Sequence, residues 1–193
     1  MFAWFFLSAL YLQLVLGYTP LQVGLAFLPA NLIMAVFSLG ISAKLVMRYG
    51  IRRPLAVGLL VAAAGLVLFA RAPVNGTFLV DVLPSMVLLG LGAGIAFNTV
   101  LLAAMSDVAP SESGLASGVV NTAFMMGGAL GLAILASLAA FRASSLLASG
   151  STHLVALSGG YHAAFLVGAS FAALAAVPGG ALIRVTTPQS SPH

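Results

Sequence analysis

Apolar and polar positions alternate along this chain on the scale of whole helices. Six stretches, about 1–17, 21–46, 54–70, 78–105, 115–141 and 161–183, are nearly unbroken runs of Leu, Ala, Val, Phe, Met and Gly. A helix rises 1.5 Å per residue, so about 20 apolar residues cross roughly 30 Å of hydrocarbon. The pattern predicts six membrane-spanning helices over residues 1–185, with 186–193 as a cytoplasmic tail. Short breakers separate most of the runs: Gly17-Tyr18-Thr19-Pro20, a basic stretch ending at Pro54, Arg71-Ala72-Pro73-Val74-Asn75-Gly76, and Asp107-Val108-Ala109-Pro110. Segment 142–160, rich in Ser and Gly, reads as a longer surface loop.

Polar side chains inside the runs carry the next layer of information, because lipid cannot satisfy them. The first run holds Gln13; the second holds Asn31 with Ser38 seven residues on, one helical face. The fourth places Gly90, Gly94 and Asn98 at steps of four. The fifth carries a stripe of Gly114, Gly118, Asn121, Met125 and Gly128 at steps of three and four. The third and sixth runs are almost free of polar residues at their middles. The order polar, polar, apolar thus occurs twice, which predicts an all-α bundle built from two three-helix repeats. For the glycines Gly90, Gly94, Gly114, Gly118, Gly127, Gly128 and Gly131 the plain reading is close helix packing. Gln13, Asn31, Asn98, Asn121 and Met125 have two readings, a transport pathway or hydrogen bonds and packing between neighbouring helices.

Composition agrees with a bilayer. Hydrophobic residues make up 62% of the chain, charged residues only 5%, and the mean hydropathy is +1.18. Soluble domains carry about 25% charged residues. The net charge of +4 does not mark a nucleic-acid surface, since the cations report topology. A charge at the centre of a spanning helix costs about 2.5–3.5 kcal/mol, and basic short loops stay cytoplasmic. Arg48, Arg52 and Arg53 therefore mark the inner face. Lys44 and Arg184 then fall on the same side, against Arg71 and Arg142 outside, and both termini are cytoplasmic in a multi-pass cell-membrane protein. The first run begins at Met1 without a basic flank, as in a cut through a longer chain. There are no cysteines, and His153, His162 and His193 are too scattered to make a metal site. No phosphate loop or other cofactor motif is visible.

Three stretches carry a resemblance. They are Tyr11-Leu12-Gln13 through Gly17-Tyr18-Thr19-Pro20-Leu21-Gln22-Val23-Gly24 to Leu28-Pro29; Arg48-Tyr49-Gly50-Ile51-Arg52-Arg53-Pro54; and Gly114-Leu115-Ala116-Ser117-Gly118 with Asn121-Thr122-Ala123 and Gly127-Gly128-Ala129-Leu130-Gly131. Over roughly residues 11–165 the chain resembles the C-terminal six-helix half of a major facilitator superfamily transporter, in the fourteen-span multidrug–proton antiporter branch. The resemblance implies that the first, second, fourth and fifth spans line a central cavity while the third and sixth stand outside. Residues Arg48, Gly50, Arg52 and Arg53 are then the second copy of the superfamily's basic loop, with Met47 where its acidic residue would stand. Phe124-Met125 replaces an Arg-Gln pair common in that branch, giving a greasy, adaptable wall or plain core packing.

The function implied is proton-coupled export of small amphipathic organic compounds or drugs by alternating access, with no enzymatic chemistry. Its partners are the bilayer, substrate and protons, and either a missing N-terminal half or a second copy of the chain. Of the acids, Asp107 and Glu112 read as structural charges around Pro110. Asp81 reads either as a helix-start charge paired with Arg71 or as a proton-coupling group. Two rivals come from other classes. One is a half-size membrane protein working as a homodimer or a non-transporting subunit. The other, a serine protease of Ser117 and His162, fails because most of a membrane thickness separates them.

Overall fold

The computed structural model describes residues 2–106 and 108–181; Asp107, Arg184 and the tail 186–193 lie outside the described residues. Six helices follow one another: α1 (Phe2–Val15), α2 (Pro20–Tyr49), α3 (Arg52–Phe69), α4 (Phe78–Met105), α5 (Ser113–Ala148) and α6 (His153–Ala181). Among the described residues there is no strand. Helices α2 to α6 are long and apolar enough to cross a bilayer, whereas the described part of α1 is shorter. At 1.5 Å per residue it covers about 20 Å.

Local chemistry explains where the helices begin and end. Thr19 caps α2 in a reciprocal box: its backbone N–H donates to Gln22 Oε1 at 2.8 Å, and the Gln22 N–H donates to Thr19 Oγ1 at 3.4 Å, with Pro20 in the first turn. Helix α2 stops at Gly50, whose φ of 73° and ψ of 177° belong to a region essentially reserved for glycine. Only Gly50 and Ile51 separate it from α3, so Arg52 and Arg53 open the next helix.

The sequence reading of 142–160 as a surface loop is corrected. Helix α5 continues to Ala148 and α6 already begins at His153. The connection is a tight turn in which Gly150, at φ 90°, and Ser151 donate to Leu147 and Leu146 carbonyls. Two glycines of this segment serve the α5–α6 contact. A Cβ added to Gly160 would collide with the carbonyl oxygen of Ala139, and one on Gly159 would press on Leu146. Gly159 and Gly160 permit close helix approach, and in sequence such glycines look the same as a loop.

Helix α4 is the most buried spanning helix, with α2 on one flank and α3 on the other. Glycine makes both contacts possible. On one side a Cβ at Gly92 would lie 2.5 Å from the Ala62 nitrogen of α3; on the other, Gly90 and Gly94 face the Ala30 and Met34 backbone of α2. Helix α3 also packs on α6, α6 on α5, and α5 on α1. Exchanging the first three helices with the last three maps α2–α4 onto α5–α1, α3–α4 onto α6–α1, and α3–α6 onto itself, and each of these contacts is present. The fold is an all-α membrane bundle with the two-repeat connectivity read from polarity.

The exposed faces are unequal. In α3 a single stripe of Arg53, Val57, Leu60 and Ala64 looks outward, while α2 and α5 are the least buried spanning helices.

Candidate functional site

Three phenylalanines from three helices meet on one side of the bundle. The Phe124 ring of α5 stands 5.5 Å from Phe2 of α1 and 5.5 Å from Phe97 of α4, centroid to centroid. Contacts of this offset or tilted kind add about 0.5–1.5 kcal/mol beyond area burial. Behind them a cavity of about 790 Å³ runs between α5 and the rest of the bundle. Its outer part is bordered by Ser117 and Asn121, and its depth by Leu66, Phe165, Gly168 and Ala172 of α3 and α6. No charged side chain lines it among the described residues.

Glycine hollows the α5 wall. Nothing stands within 4 Å of where a Cβ would sit on Gly127 or Gly131, and both line the cavity. Gly128, in contrast, faces the Phe2 ring so closely that no Cβ would fit. Of the seven glycines named from the sequence, Gly90, Gly94 and Gly128 lie against a neighbouring helix. Gly114, Gly118, Gly127 and Gly131 meet no neighbour within the described chain.

The expected pathway residues disperse. Asn121 borders the cavity, with its side chain exposed and without a partner among the described residues. Asn98 reaches sideways to α2, donating through Nδ2 to the Ser38 carbonyl and, at 2.7 Å, to Ser38 Oγ. It also borders a smaller pocket of about 250 Å³ beside Ala43 and Met105. Gln13, Asn31 and Met125 are exposed and line neither pocket. The Asn98 contact falls where α2 passes through a π-helical segment, Phe37–Ile41, whose looser ladder leaves carbonyls open to side chains.

Asp81 also turns out to be a local partner. Its Oδ2 accepts the Thr77 backbone N–H at 2.7 Å and the Thr77 hydroxyl at 3.4 Å, closing the start of α4. No ion pair joins it to Arg71 among the described residues, against the pairing expected from sequence.

One polar cluster escaped the sequence altogether. Tyr11, fully buried, shares its hydroxyl proton between the carbonyls of Ala72 at 3.1 Å and Pro73 at 3.0 Å. His162 Nε2 donates to the same Ala72 carbonyl at 2.9 Å, with Ser158 Oγ 3.2 Å from that nitrogen. The pair fastens α1 and α6 to the α3–α4 turn. Its residues are far apart in the chain and follow no spacing rule, so only the tertiary fold reveals them.

The sequence that builds this bundle has known relatives. The model of the Major Facilitator Superfamily matches residues 1–132. This chain belongs to the major facilitator superfamily. It is 37% identical over 174 residues to the puromycin resistance protein pur8 of Streptomyces alboniger, covering 89% of this chain and 35% of that protein. It is 36% identical over 132 residues to the cephamycin export protein CmcT of Amycolatopsis lactamdurans, covering 68% of this chain and 27% of the relative. Against the multidrug efflux pump LfrA of Mycolicibacterium smegmatis identity is 31% over 134 residues, 69% of this chain and 26% of the pump. As a facilitator-superfamily chain it is a multi-pass membrane protein, and it spans about a quarter to a third of the length of these relatives.

Proposed function

We propose that this chain is one half of a secondary drug exporter, a transporter rather than an enzyme, and that its cavity receives the apolar part of an amphipathic organic substrate. The observation that carries this reading is the uncharged hollow of about 790 Å³ behind Phe2, Phe97 and Phe124. Ligand sites are typically concave and apolar with a few convergent polar groups, and Asn121 and Ser117 supply these at the edge. The names of the relatives point the same way.

Alternating access requires a second bundle to rock against. The poorly buried faces of α2 and α5 are where we place it, with Gly114, Gly118 and Met125 on the α5 side. The basic residues Arg48, Arg52 and Arg53 face the cytoplasm in this reading, and both termini do too. Proton coupling belongs to the complete transporter. The described cavity offers no carboxylate, and Asp81 is occupied in capping α4.

The test is a growth-rescue drug panel with the complete gene in a pump-deficient host. Export of several apolar drugs is expected, weakened by Phe124→Ala. No rescue by any compound overturns the reading. The alternative, a half-size homodimer, is favoured by the same exposed α5 face. A single cysteine at Gly118 separates the two: crosslinking to a second copy supports the homodimer, and crosslinking within a longer chain supports the half.

A further inference from the structure

The clasp of Tyr11 and His162 on the Ala72 carbonyl joins α1, α6 and the α3–α4 turn, and it lies outside the cavity. Because Ala72 offers a carbonyl, His162 Nε2 carries the proton there, and Nδ1 is the basic atom of the neutral ring. Nδ1 has no hydrogen-bond partner among the described residues. It is open to solvent, unlike the unpartnered Trp4 Nε1 and Ser8 Oγ, which are closed. The turn beside it is exposed at Arg71, Pro73 and Asn75. A proton therefore has both an acceptor and a path to it.

The surroundings favour the neutral ring over the charged one. The imidazole is half-buried, with the Tyr11 ring 6.3 Å away between centroids and the buried Ser158 hydroxyl beside Nε2. At this end of the bundle the other ionisable groups among the described residues are Tyr11 of α1, Arg71 of the turn and Asp81 of α4. Arg142 of α5 and Tyr161 and His153 of α6 complete the set. Asp81, the one carboxylate of these, is bonded to Thr77 and makes no ion pair with His162, while Arg71 adjoins Ala72 with a like charge. A positive ring makes a hydrogen bond to Ala72 roughly twice as strong. Burying a cation without a counter-ion costs more than that gain. We propose that His162 is a proton-binding residue of this chain, and that a proton taken up at Nδ1 loosens the clasp and frees α6 from the α3–α4 turn. One proton from water converts imidazole to imidazolium, and the only bond lost is the hydrogen bond to Ala72. Tyr11 keeps α1 on the turn through Ala72 and Pro73. This adds a titrating group to the exporter reading without depending on it, since the test reads the clasp and not transport.

The chain in lipid nanodiscs is followed by hydrogen exchange between about pH 8 and about pH 5, the range in which histidine titrates. The bonded amides of residues 70–72 and 76 are compared with those of 149–151, turn amides at the same end of the bundle, so that the intrinsic effect of pH cancels. Exchange at 70–76 is expected to rise about tenfold in acid against this reference, as a proton bound tenfold more tightly by the open form gives. His162→Gln, whose amide still donates to Ala72 but takes up no proton, abolishes the rise. His153→Gln, an exposed position, leaves it unchanged. The proposal is overturned by the absence of a rise, by a turn that tightens in acid, by a rise that survives His162→Gln, or by one lost in His153→Gln. Should His162→Gln not fold, nitrogen NMR of the histidine-labelled parent decides, with His153→Gln and His193→Gln identifying the other two signals. A His162 ring that gains its proton over the range in which exchange rises supports the proposal, and a ring that stays neutral overturns it. A complete transporter that exports nothing would refute the transport reading and leave this result standing.

Discussion

At the residue scale, glycine has two opposite duties in this chain. Gly92 is a contact: its missing Cβ lets the α3 backbone approach, and Gly92→Ala should cost about 1–3 kcal/mol through overpacking. Gly114 has open space, and Gly114→Ala should change stability by less than about 1 kcal/mol, in the favourable direction set by helix propensity. Thermal unfolding of both variants in one detergent checks the contrast, and equal losses would contradict it. The polar contacts follow the same logic of tertiary placement. Tyr11→Phe strands the Pro73 carbonyl while Ala72 keeps His162, so a loss of about 1 kcal/mol is expected. Spacing put Gly114 on the α5 stripe and passed over Gly92, and it could not say which of them had a neighbour.

At the element scale, each irregular segment has a polar side chain beside it. The π-helical turn Tyr11–Val15 begins at the clasped Tyr11; Phe37–Ile41 is held by Asn98; and Phe78–Val82 contains Asp81. For α2 the consequence can be measured. Asn98→Ala should cost about 0.6 kcal/mol, the usual worth of a hydrogen bond between membrane helices. It should also speed hydrogen exchange of the amides at 37–41, with exchange in α3 unchanged. Unaltered exchange there would show that the α2 segment keeps its shape without Asn98. Asp81→Asn should shorten or fray the start of α4 and leave efflux by the complete transporter intact, since the Thr77 bond is its contact. Abolished pH-driven efflux would restore Asp81 to the coupling mechanism. The Thr19–Gln22 cap shows what a short motif does encode, because its partners are three residues apart and its chemistry is local.

At the scale of the whole molecule, charge and exposure set orientation and assembly. The chain lacks cysteine, so single introduced cysteines report cleanly. In intact cells an impermeant maleimide should label a cysteine at position 150 and spare one at position 47 until the membrane is opened. The reverse pattern would invert the topology. Residues 44–53 are at one end of α2 and α3, and 149–152 join α5 to α6 at the other, so the experiment samples both faces.

Sequence alone determined the class, the number and order of helices, the repeat and the family, because burial in lipid demands long apolar runs and leaves every polar exception visible. It also placed Asn121 and Gly128 on a face worth examining. Tertiary structure decided which exceptions had partners. Asn98 faces Ser38 across two helices, His162 and Tyr11 meet on the Ala72 carbonyl, and segment 142–160 is helix on both sides of one tight turn, with Gly159 and Gly160 set close against α5. Such pairings depend on distances between residues far apart in the chain, and a pattern read along one strand of residues carries only the near ones.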